Sequence, residues 1–489
     1  MNRLWTMILL LAASMPLAAQ PMTHLATLNP DVSSWGWPEQ PHHAGPSFSF
    51  GYSLDTDGPL LIVGMPGAKP HVRSPTTGAL ALYRRSGDDW LLESLLTPPA
   101  DSLLHLSGCG FSAGILDGGD YSARLFGCPF ADSPSLEESG RATLSAVLSS
   151  GETTSVRNPT GEGDGSRMGL SVSITRAPID GTVWAAIGVP GSELSWSPHS
   201  EGRVEIWRLE DRTWYLEATL MASDGEPGDR FGHSVSISAQ QPWAQLVRVA
   251  VGAPFHDGWR GAVYVFERNQ GTATWSEVAK RMAPAADIHD KLGWSVAHHT
   301  TSPAEGLESL LVAGAKERRP GGDPTQWNRG TVSVWRQSSA SGYWNYAYEG
   351  EIGFFCFGAS EICEGQSQAM EFGWSVAIDS GVIWIGAPEF ATLEGSNVGR
   401  VYKASFKPTL EAWTIDDVIT PGPLSSDCGQ FSVAQSGGRF GNALAVVPGG
   451  VAVGYPSRGC HLLTMPPGPR WGQVRIFGVS DIIHADRFD

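Results

Sequence analysis

Three short motifs recur along this chain in one fixed order, and this repetition limits the possible folds more than any other feature. The first is an apolar residue or cysteine followed by glycine, the second is usually Gly-x-Pro, and the third is a glycine that opens an alternating run. One copy reads Phe231-Gly232, then Gly252-Ala253-Pro254, then Gly261 to Phe266. The first-motif glycines are Gly51, Gly110, Gly169, Gly232, Gly293, Gly373 and Gly441. Their spacings of 59, 59, 63, 61, 80 and 68 residues indicate one structural unit repeated seven times.

Each unit contains the sequence for four short strands. The three motifs supply three of them, and a segment that often opens with tryptophan, such as Trp214 to Ser223, supplies the fourth. A single four-stranded sheet cannot bury both of its faces, so the units must stack against one another. Seven such sheets arranged radially form a closed ring. The sequence therefore predicts an all-β fold, a seven-bladed β-propeller of four-stranded antiparallel blades.

The two ends of the chain are expected to meet in the last blade. The seventh unit ends after its third strand, at Phe477, whereas Leu25 to Asp31 resembles the fourth-strand stretch Leu216 to Asp224. We therefore expect the N-terminal segment to form the outer strand of blade 7, which would cover an exposed edge and close the ring. The alternative is an N-terminal extension that is unrelated to any blade.

The motifs of the fourth unit resemble the FG-GAP repeat, a family that includes the integrin alpha-chain head and many exported bacterial proteins. They are Phe231-Gly232-His233-Ser234-Val235, Val251-Gly252-Ala253-Pro254 and Gly261 to Phe266. The resemblance covers about residues 22 to 478, and the second unit is the most divergent. It implies an integrin-type N-terminal β-propeller that acts in adhesion or recognition without catalysis.

The first 19 residues are typical of a secretory signal. Arg3 supplies the positive start, Met7 to Ala13 form an apolar stretch, and Ala18-Ala19 form a small-residue cleavage site. A buried N-terminal strand is the alternative. No stretch of the sequence approaches the roughly 18–20 apolar residues that a transmembrane helix needs. We therefore expect residues 20–489 to be one propeller domain that is secreted, periplasmic or displayed at the cell surface.

Composition argues against two other classes of protein. Lys and Arg number 33 against 50 Asp and Glu, a net charge of −17 that repels nucleic acid. The hydrophobic fraction of 41% is sufficient for a buried core, so extended disorder is not expected. A folded protein without a nucleic-acid partner follows from these values.

Six cysteines in an exported chain suggest three disulfides. In the repeat register, Cys109 opens the first strand of blade 2 and Cys128 closes its second strand, so antiparallel pairing brings them together. Cys428 and Cys460 flank the corresponding strands of blade 7, and Cys356 and Cys363 lie in the long insertion after blade 5. We predict the pairs 109–128, 428–460 and 356–363, with reduced buried thiols as the alternative.

The sequence gives little sign of a metal site, a cofactor or a catalytic centre. Integrin FG-GAP repeats commonly carry a calcium loop between the first two strands, but the hairpins at Asp55 to Gly58 and Asp117 to Asp120 have few of the oxygen ligands that calcium needs. Gly-x-Ser-x-Gly, His-Glu-x-x-His and P-loop motifs are absent from the sequence. We predict no metal and no cofactor, and the sequence favours a binding protein over an enzyme.

The remaining candidate site is the rim where long, varied loops emerge. Aromatic and arginine side chains are enriched at interaction hot spots, and the rim loops carry several: Trp196, Trp259, Arg260, Arg318, Arg319, Trp327, Phe355 and Trp471. Phe355 belongs to the insertion 353–363, which either anchors a partner or folds inward and caps the central channel. We therefore expect a binding or adhesion module for a protein or a glycan. The alternatives are a polysaccharide hydrolase or lyase with two carboxylates near the channel and a purely structural envelope component.

Overall fold

The structure is a computed structural model that describes fifteen segments of the chain. They are residues 22–29, 49–68, 77–97, 107–133, 135–178, 180–191, 201–239, 246–300, 308–319, 329–338, 346–353, 370–391, 397–421, 437–456 and 472–478. The predicted signal peptide at residues 1–19 lies outside them. The described residues contain 28 strands and one short helical segment.

The strands form seven antiparallel four-stranded sheets, as the repeat predicts. Blade 1 contains β2 (Leu54–Asp57), β3 (Leu60–Met65), β4 (Ala79–Ser86) and β5 (Asp89–Leu96). Blade 2 contains β6 (Ser112–Asp117), β7 (Tyr121–Cys128), β8 (Arg141–Leu148) and β9 (Thr153–Arg157). Blade 3 contains β10 (Val172–Arg176), β11 (Val183–Val189), β12 (Arg203–Glu210) and β13 (Thr213–Leu220). In each of these three blades the strands pair in sequence order.

Blades 4 to 6 repeat this arrangement, and blade 4 also carries the helical segment α1 (His256–Trp259) between its second and third strands. Blade 4 contains β14 (Ser234–Ala239), β15 (Val247–Ala253), β16 (Ala262–Asn269) and β17 (Thr274–Arg281). Blade 5 contains β18 (Leu292–Thr300), β19 (Glu308–Ala315), β20 (Thr331–Ser338) and β21 (Ala347–Gly353). Blade 6 contains β22 (Ser375–Asp379), β23 (Val382–Ala387), β24 (Arg400–Lys407) and β25 (Ala412–Ile419).

Blade 7 is built from both ends of the chain, which confirms the predicted closure. Its inner strands are β26 (Leu444–Val447), β27 (Gly450–Tyr455) and β28 (Gln473–Gly478), and its outer strand is β1 (Thr23–Leu28). The register runs from Thr23 opposite Gly478 to Leu28 opposite Val474. At the seam with blade 1, the Thr56 hydroxyl donates to the Val446 carbonyl. The ring is therefore closed by hydrogen bonds between strands distant in sequence.

Glycine is required where adjacent blades meet near the axis. A Cβ on Gly252 would lie 2.0 Å from the Gly293 carbonyl oxygen of the next blade, a distance that no side chain permits. Gly261 has φ +80°, and a Cβ there would lie 2.1 Å from the Leu292 oxygen. The glycines of the second and third motifs therefore allow the blades to approach each other closely.

A serine two residues after the first-motif glycine links most blades to the next. Its hydroxyl donates to the carbonyl of the next first-motif glycine, with Oγ–O distances of 2.7–2.9 Å. These serines are Ser53, Ser112, Ser171, Ser234, Ser295 and Ser375. Blade 7 has Ala443 at this position. The motif is therefore apolar-Gly-x-Ser in six units, and its serine is a contact between blades.

The outer strands connect neighbouring blades through a bulge that the sequence motifs did not reveal. In blade 3 the β12–β13 register shifts by one residue, and Glu217 lies at the shift. Its carboxylate accepts hydrogen bonds from Arg268 at 2.6 Å and from the Trp275 indole at 3.2 Å, both in blade 4. Glu349 of blade 5 likewise accepts from the Trp413 indole of blade 6 at 3.0 Å. The tryptophans that open the outer strands therefore pack between blades.

Candidate partner-binding surface

The seven innermost strands begin on the same face as the Trp259 turn, and the backbone reverses just before each of them. The residue two positions before every first-motif glycine has a positive φ, between 51° and 64°. These residues are Ser49, Gly108, Arg167, Arg230, Lys291, Glu371 and Arg439. Four of the seven are basic in a chain whose net charge is −17. Three of these four, Arg167, Lys291 and Arg439, form ion pairs with nearby glutamates, so basic and acidic side chains alternate on this face.

Aromatic side chains form an arc around the channel mouth on this face. They occupy the position immediately after the first-motif glycine, and neighbours from adjacent blades are in contact. The ring centroids of Tyr52 and Phe111 are 4.7 Å apart, those of His233 and Trp294 are 4.5 Å apart, and those of Trp294 and Trp374 are 5.2 Å apart. Burial and the charge of Arg230 lower the pKa of His233 to about 3, so this imidazole is neutral.

Lys316 fills the space beside the two tryptophans of this arc. Its Nζ lies 3.8 Å from the Trp294 ring centroid and 4.7 Å from that of Trp374, and it donates to Glu371 Oε1 at 2.9 Å. Burial raises the pKa of Glu371, and the charge of Lys316 opposes this shift. In the other units the second strand ends one residue before the motif proline, and only here does lysine take its place. That departure from Gly-x-Pro was the sequence signal for this cluster.

Trp259 and Arg260, two of the predicted contact residues, lie on the turn between β15 and β16. Trp259 is 45% exposed, although its ring touches those of Phe255 and His289, with centroids 5.6 Å and 4.9 Å away. The Arg260 guanidinium donates to the carbonyls of Asp257 and Ala286. The structure thus presents the indole to solvent and uses Arg260 to hold the turn against the following loop.

The backbone of this turn is held in an unfavourable conformation. Asp257, Gly258 and Trp259 are consecutive left-handed residues with φ of 50°, 65° and 69°. His289, which contacts Trp259, has φ of 75°. A non-glycine residue in this region costs on the order of 1–3 kcal/mol and persists only where its surroundings fix it, which is typical of ligand-binding segments. Ile288 is 50% exposed beside this turn. We call Trp259, Ile288 and His289 the Trp259 patch.

Arg318, another predicted contact residue, is buried in the structure. Only 9% of it is exposed, and its guanidinium donates to Asp290 Oδ2 at 2.5 Å, to Glu351 Oε1 at 3.1 Å and to the Pro284 carbonyl at 2.9 Å. Arg318 therefore holds together the loops and outer strand at the boundary of blades 4 and 5. Arg319 is half-buried on the same loop. Trp196, Trp327, Phe355 and Trp471 lie outside the described residues.

One predicted disulfide falls within the described residues. Cys109 and Cys128 are bonded, with Cα atoms 3.9 Å apart, and both are buried at the boundary of blades 1 and 2. Cys356, Cys363, Cys428 and Cys460 lie outside the described residues. The pair 109–128 is therefore confirmed, and the pairs 356–363 and 428–460 stay predictions.

The central channel contains a cavity of about 390 Å³ lined by the innermost strands. Asp55 is the one carboxylate among its lining residues, and the Ile115 amide donates to it at 2.9 Å. Burial raises the pKa of Asp55 to about 7, with a hydrogen bond from the Ile115 amide opposing the shift. Glycoside hydrolysis ordinarily uses two carboxyl groups that face each other. The described lining residues of this cavity include one, and the charge of Asp57, two residues further along β2, also raises the pKa of Asp55.

Neither a metal site nor a membrane span emerges from the part of the chain that the structure describes. Within it, no three His, Cys, Asp or Glu side chains are placed to hold a metal ion together. The same residues contain no helix long and apolar enough to cross a membrane.

Comparison with known proteins agrees with the motif resemblance. The FG-GAP repeat family model matches residues 214–266, which run from β13 to β16. Human integrin alpha-D is 33% identical over 115 residues, covering 22% of this chain and 9% of the relative. Human integrin alpha-X is 30% identical over 132 residues (25% and 11%), and human integrin alpha-11 is 24% identical over 208 residues (42% and 17%). The chain therefore matches less than a fifth of the length of these relatives.

Among solved structures, the periplasmic gluconolactonase PpgL of Pseudomonas aeruginosa aligns with 78% of this chain and 87% of its own. The identity is 13% and the TM-score is 0.44, values too low to indicate anything about activity. The motifs, the family match and the seven blades agree with one another. Residues 214–266 of this chain therefore match the FG-GAP repeat family, and parts of the chain are similar to integrin alpha chains.

Proposed function

We propose that this protein is an exported binding module that recognises a protein or glycan partner through the face bearing the Trp259 patch. The observation that carries the proposal is the exposure of Trp259 on a strained, hydrogen-bonded turn. Tryptophan in a pre-formed position is a typical interaction hot spot, because burying it removes a large apolar area from water at little cost in conformational entropy.

The surroundings of the Trp259 patch support a binding role. Ile288 adds apolar area beside the indole, and Lys291 Nζ lies 5.3 Å from the Trp259 ring centroid. An apolar centre with charged groups at its edge is the usual composition of a recognition surface. The similarity to integrin alpha chains, together with the predicted signal peptide, favours adhesion or recognition outside the cytosol.

The test is binding to arrays of glycans and of extracellular proteins, with and without a chelator. Trp259→Ala should lower affinity for the best binder at least tenfold, which is the loss of about 1.4 kcal/mol or more expected for a hot spot. Tyr215→Ala is a matched control, because Tyr215 is an exposed aromatic residue (51%) on an outer strand. No binder on either array, or an equal loss from both variants, would contradict the proposal.

A further inference from the structure

A chain of hydrogen-bonded ionisable groups lies directly behind the Trp259 patch. Asp229 Oδ2 is 2.7 Å from Nδ1 of His256, and Nε2 of the same ring is 2.7 Å from Lys280 Nζ. Asp224 Oδ2 lies 2.5 Å from Lys280 Nζ, and its Oδ1 accepts from the Tyr264 hydroxyl at 2.8 Å. His256 and Asp229 are both buried, with exposures of 8% and 6%.

The geometry fixes the protonation of the imidazole. An ammonium group can only donate hydrogen bonds, so Nε2 of His256 must accept from Lys280. The remaining nitrogen, Nδ1, then carries the proton and donates to Asp229. The arrangement in the structure therefore requires a neutral His256.

A second proton on His256 is incompatible with this arrangement. It would place an N–H donor opposite an ammonium group at 2.7 Å, where neither group can accept and both are positive. Asp224 is the nearest alternative partner, with Oδ2 3.9 Å from Nε2 of His256. Asp229 and Asp224 favour the imidazolium, Lys280 opposes it, and the Tyr264 ring lies 6.1 Å away. Protonation would thus move Lys280 and His256 apart.

His256 is part of the turn that carries Trp259. Its carbonyl accepts from the Gly261 amide at 3.0 Å, and the neighbouring Phe255 amide donates to the Asp229 carbonyl at 3.3 Å. The Trp259 amide donates to the Phe255 carbonyl at 3.2 Å. These are backbone hydrogen bonds, so a movement of the His256 backbone that accompanies a shift of its ring would be passed directly to Trp259, whose left-handed conformation persists only where contacts fix it.

We infer that His256 is a pH-sensitive switch for the Trp259 patch: the neutral imidazole holds the turn through Asp229 and Lys280, and protonation separates Lys280 from it and displaces the indole. The biological meaning rests on the proposed function, because acidification would then weaken partner binding. The conformational change itself does not depend on any partner.

The test reads the turn without a ligand. The full chain is labelled with 5-fluorotryptophan, and the Trp259 resonance is assigned in the ¹⁹F NMR spectrum by its loss in Trp259→Phe. We expect this resonance to shift as the pH is lowered, with the pH dependence of a single-proton step. His256→Gln, whose amide oxygen can accept from Lys280, should abolish the transition.

Two further variants separate this switch from other causes. His289 also contacts Trp259, so His289→Gln should keep the transition. Lys280→Met removes the opposing ammonium and should abolish or invert the displacement. The inference would be overturned by a wild-type resonance that does not titrate. It would also be overturned by a transition that is lost in His289→Gln but kept in His256→Gln, or by an unchanged transition in Lys280→Met. Failure of the binding arrays with the titration intact would instead count only against the proposed function.

Discussion

The serine that links adjacent blades gives a prediction with an internal comparison. Ser234 Oγ donates to the Gly293 carbonyl at 2.8 Å, close to the channel, where the strands of two blades meet. Ser234→Ala removes the donor and leaves a carbonyl oxygen without that hydrogen bond. Leaving a buried polar group unsatisfied costs about 1–3 kcal/mol. We expect the free energy of unfolding to fall by that amount.

The seventh blade offers the reverse substitution. Ala443 occupies the serine position, and a Cβ built on Gly454 would lie 2.0 Å from the Gly51 oxygen and 3.3 Å from Ala443 Cβ. A Cβ on Gly252 has the same relation to Gly293, 2.0 Å from its oxygen. A hydroxyl at position 443 would therefore reach the Gly51 carbonyl. Ala443→Ser should raise the free energy of unfolding by about 0.5–1.5 kcal/mol, the net value of one hydrogen bond.

The assay for both variants is urea unfolding followed by circular dichroism, with the m-value compared to that of the wild type so that only changes in stability are counted. Thr272→Ala is a control, because Thr272 is exposed on a turn of blade 4 and its hydroxyl bonds only within that turn. A destabilised Ala443→Ser protein, or a Ser234→Ala protein as stable as Thr272→Ala, would refute the reasoning that these serines hold the blades together.

Two further predictions concern buried charge. Lys316→Met leaves the Glu371 carboxylate without the ammonium 2.9 Å away and should lower the free energy of unfolding by about 3 kcal/mol in the same assay. The loss should exceed that of Lys403→Met, because Lys403 Nζ lies 5.6 Å from a single Trp384 ring. Equal losses from the two variants would contradict this prediction. Because the pKa of Asp55 is raised from 3.8 to about 7, the native state binds an extra proton between those values, and the free energy of unfolding should fall as pH rises through them. Asp55→Asn should flatten that decline, and an unchanged slope between pH 4.5 and 7.5 would count against it.

The fold could be predicted from the sequence because local steric constraints fix the residue type at particular positions. Glycine is required at Gly252 and Gly261 because no side chain fits between blades there, and the same requirement recurs in every blade. Each proline of the second motif follows directly on the end of its strand, because proline cannot continue the ladder. Such constraints act on single positions, so they remain visible as a repeat.

The candidate site was harder to predict from the sequence, as Arg318 illustrates. Its position in a rim loop suggested a partner contact, yet its guanidinium is held by Asp290 and Glu351, 28 and 33 residues away. Trp259, in an equivalent loop, is instead turned outward. The two residue types carry the same sequence signal, and only the neighbours brought by the fold distinguish a buried structural arginine from an exposed aromatic contact.

The number of blades, their strand order, the closure by the N-terminal strand and the bond between Cys109 and Cys128 were all predictable from the amino-acid sequence, because each depends on spacing along a repeat. The tertiary structure alone decided that Lys316 lies between two indoles, that Glu217 bridges two blades, and that His256 joins Asp229 to Lys280. Those contacts join side chains from different strands and blades, and their energies depend on distances of a few ångströms that no linear pattern encodes.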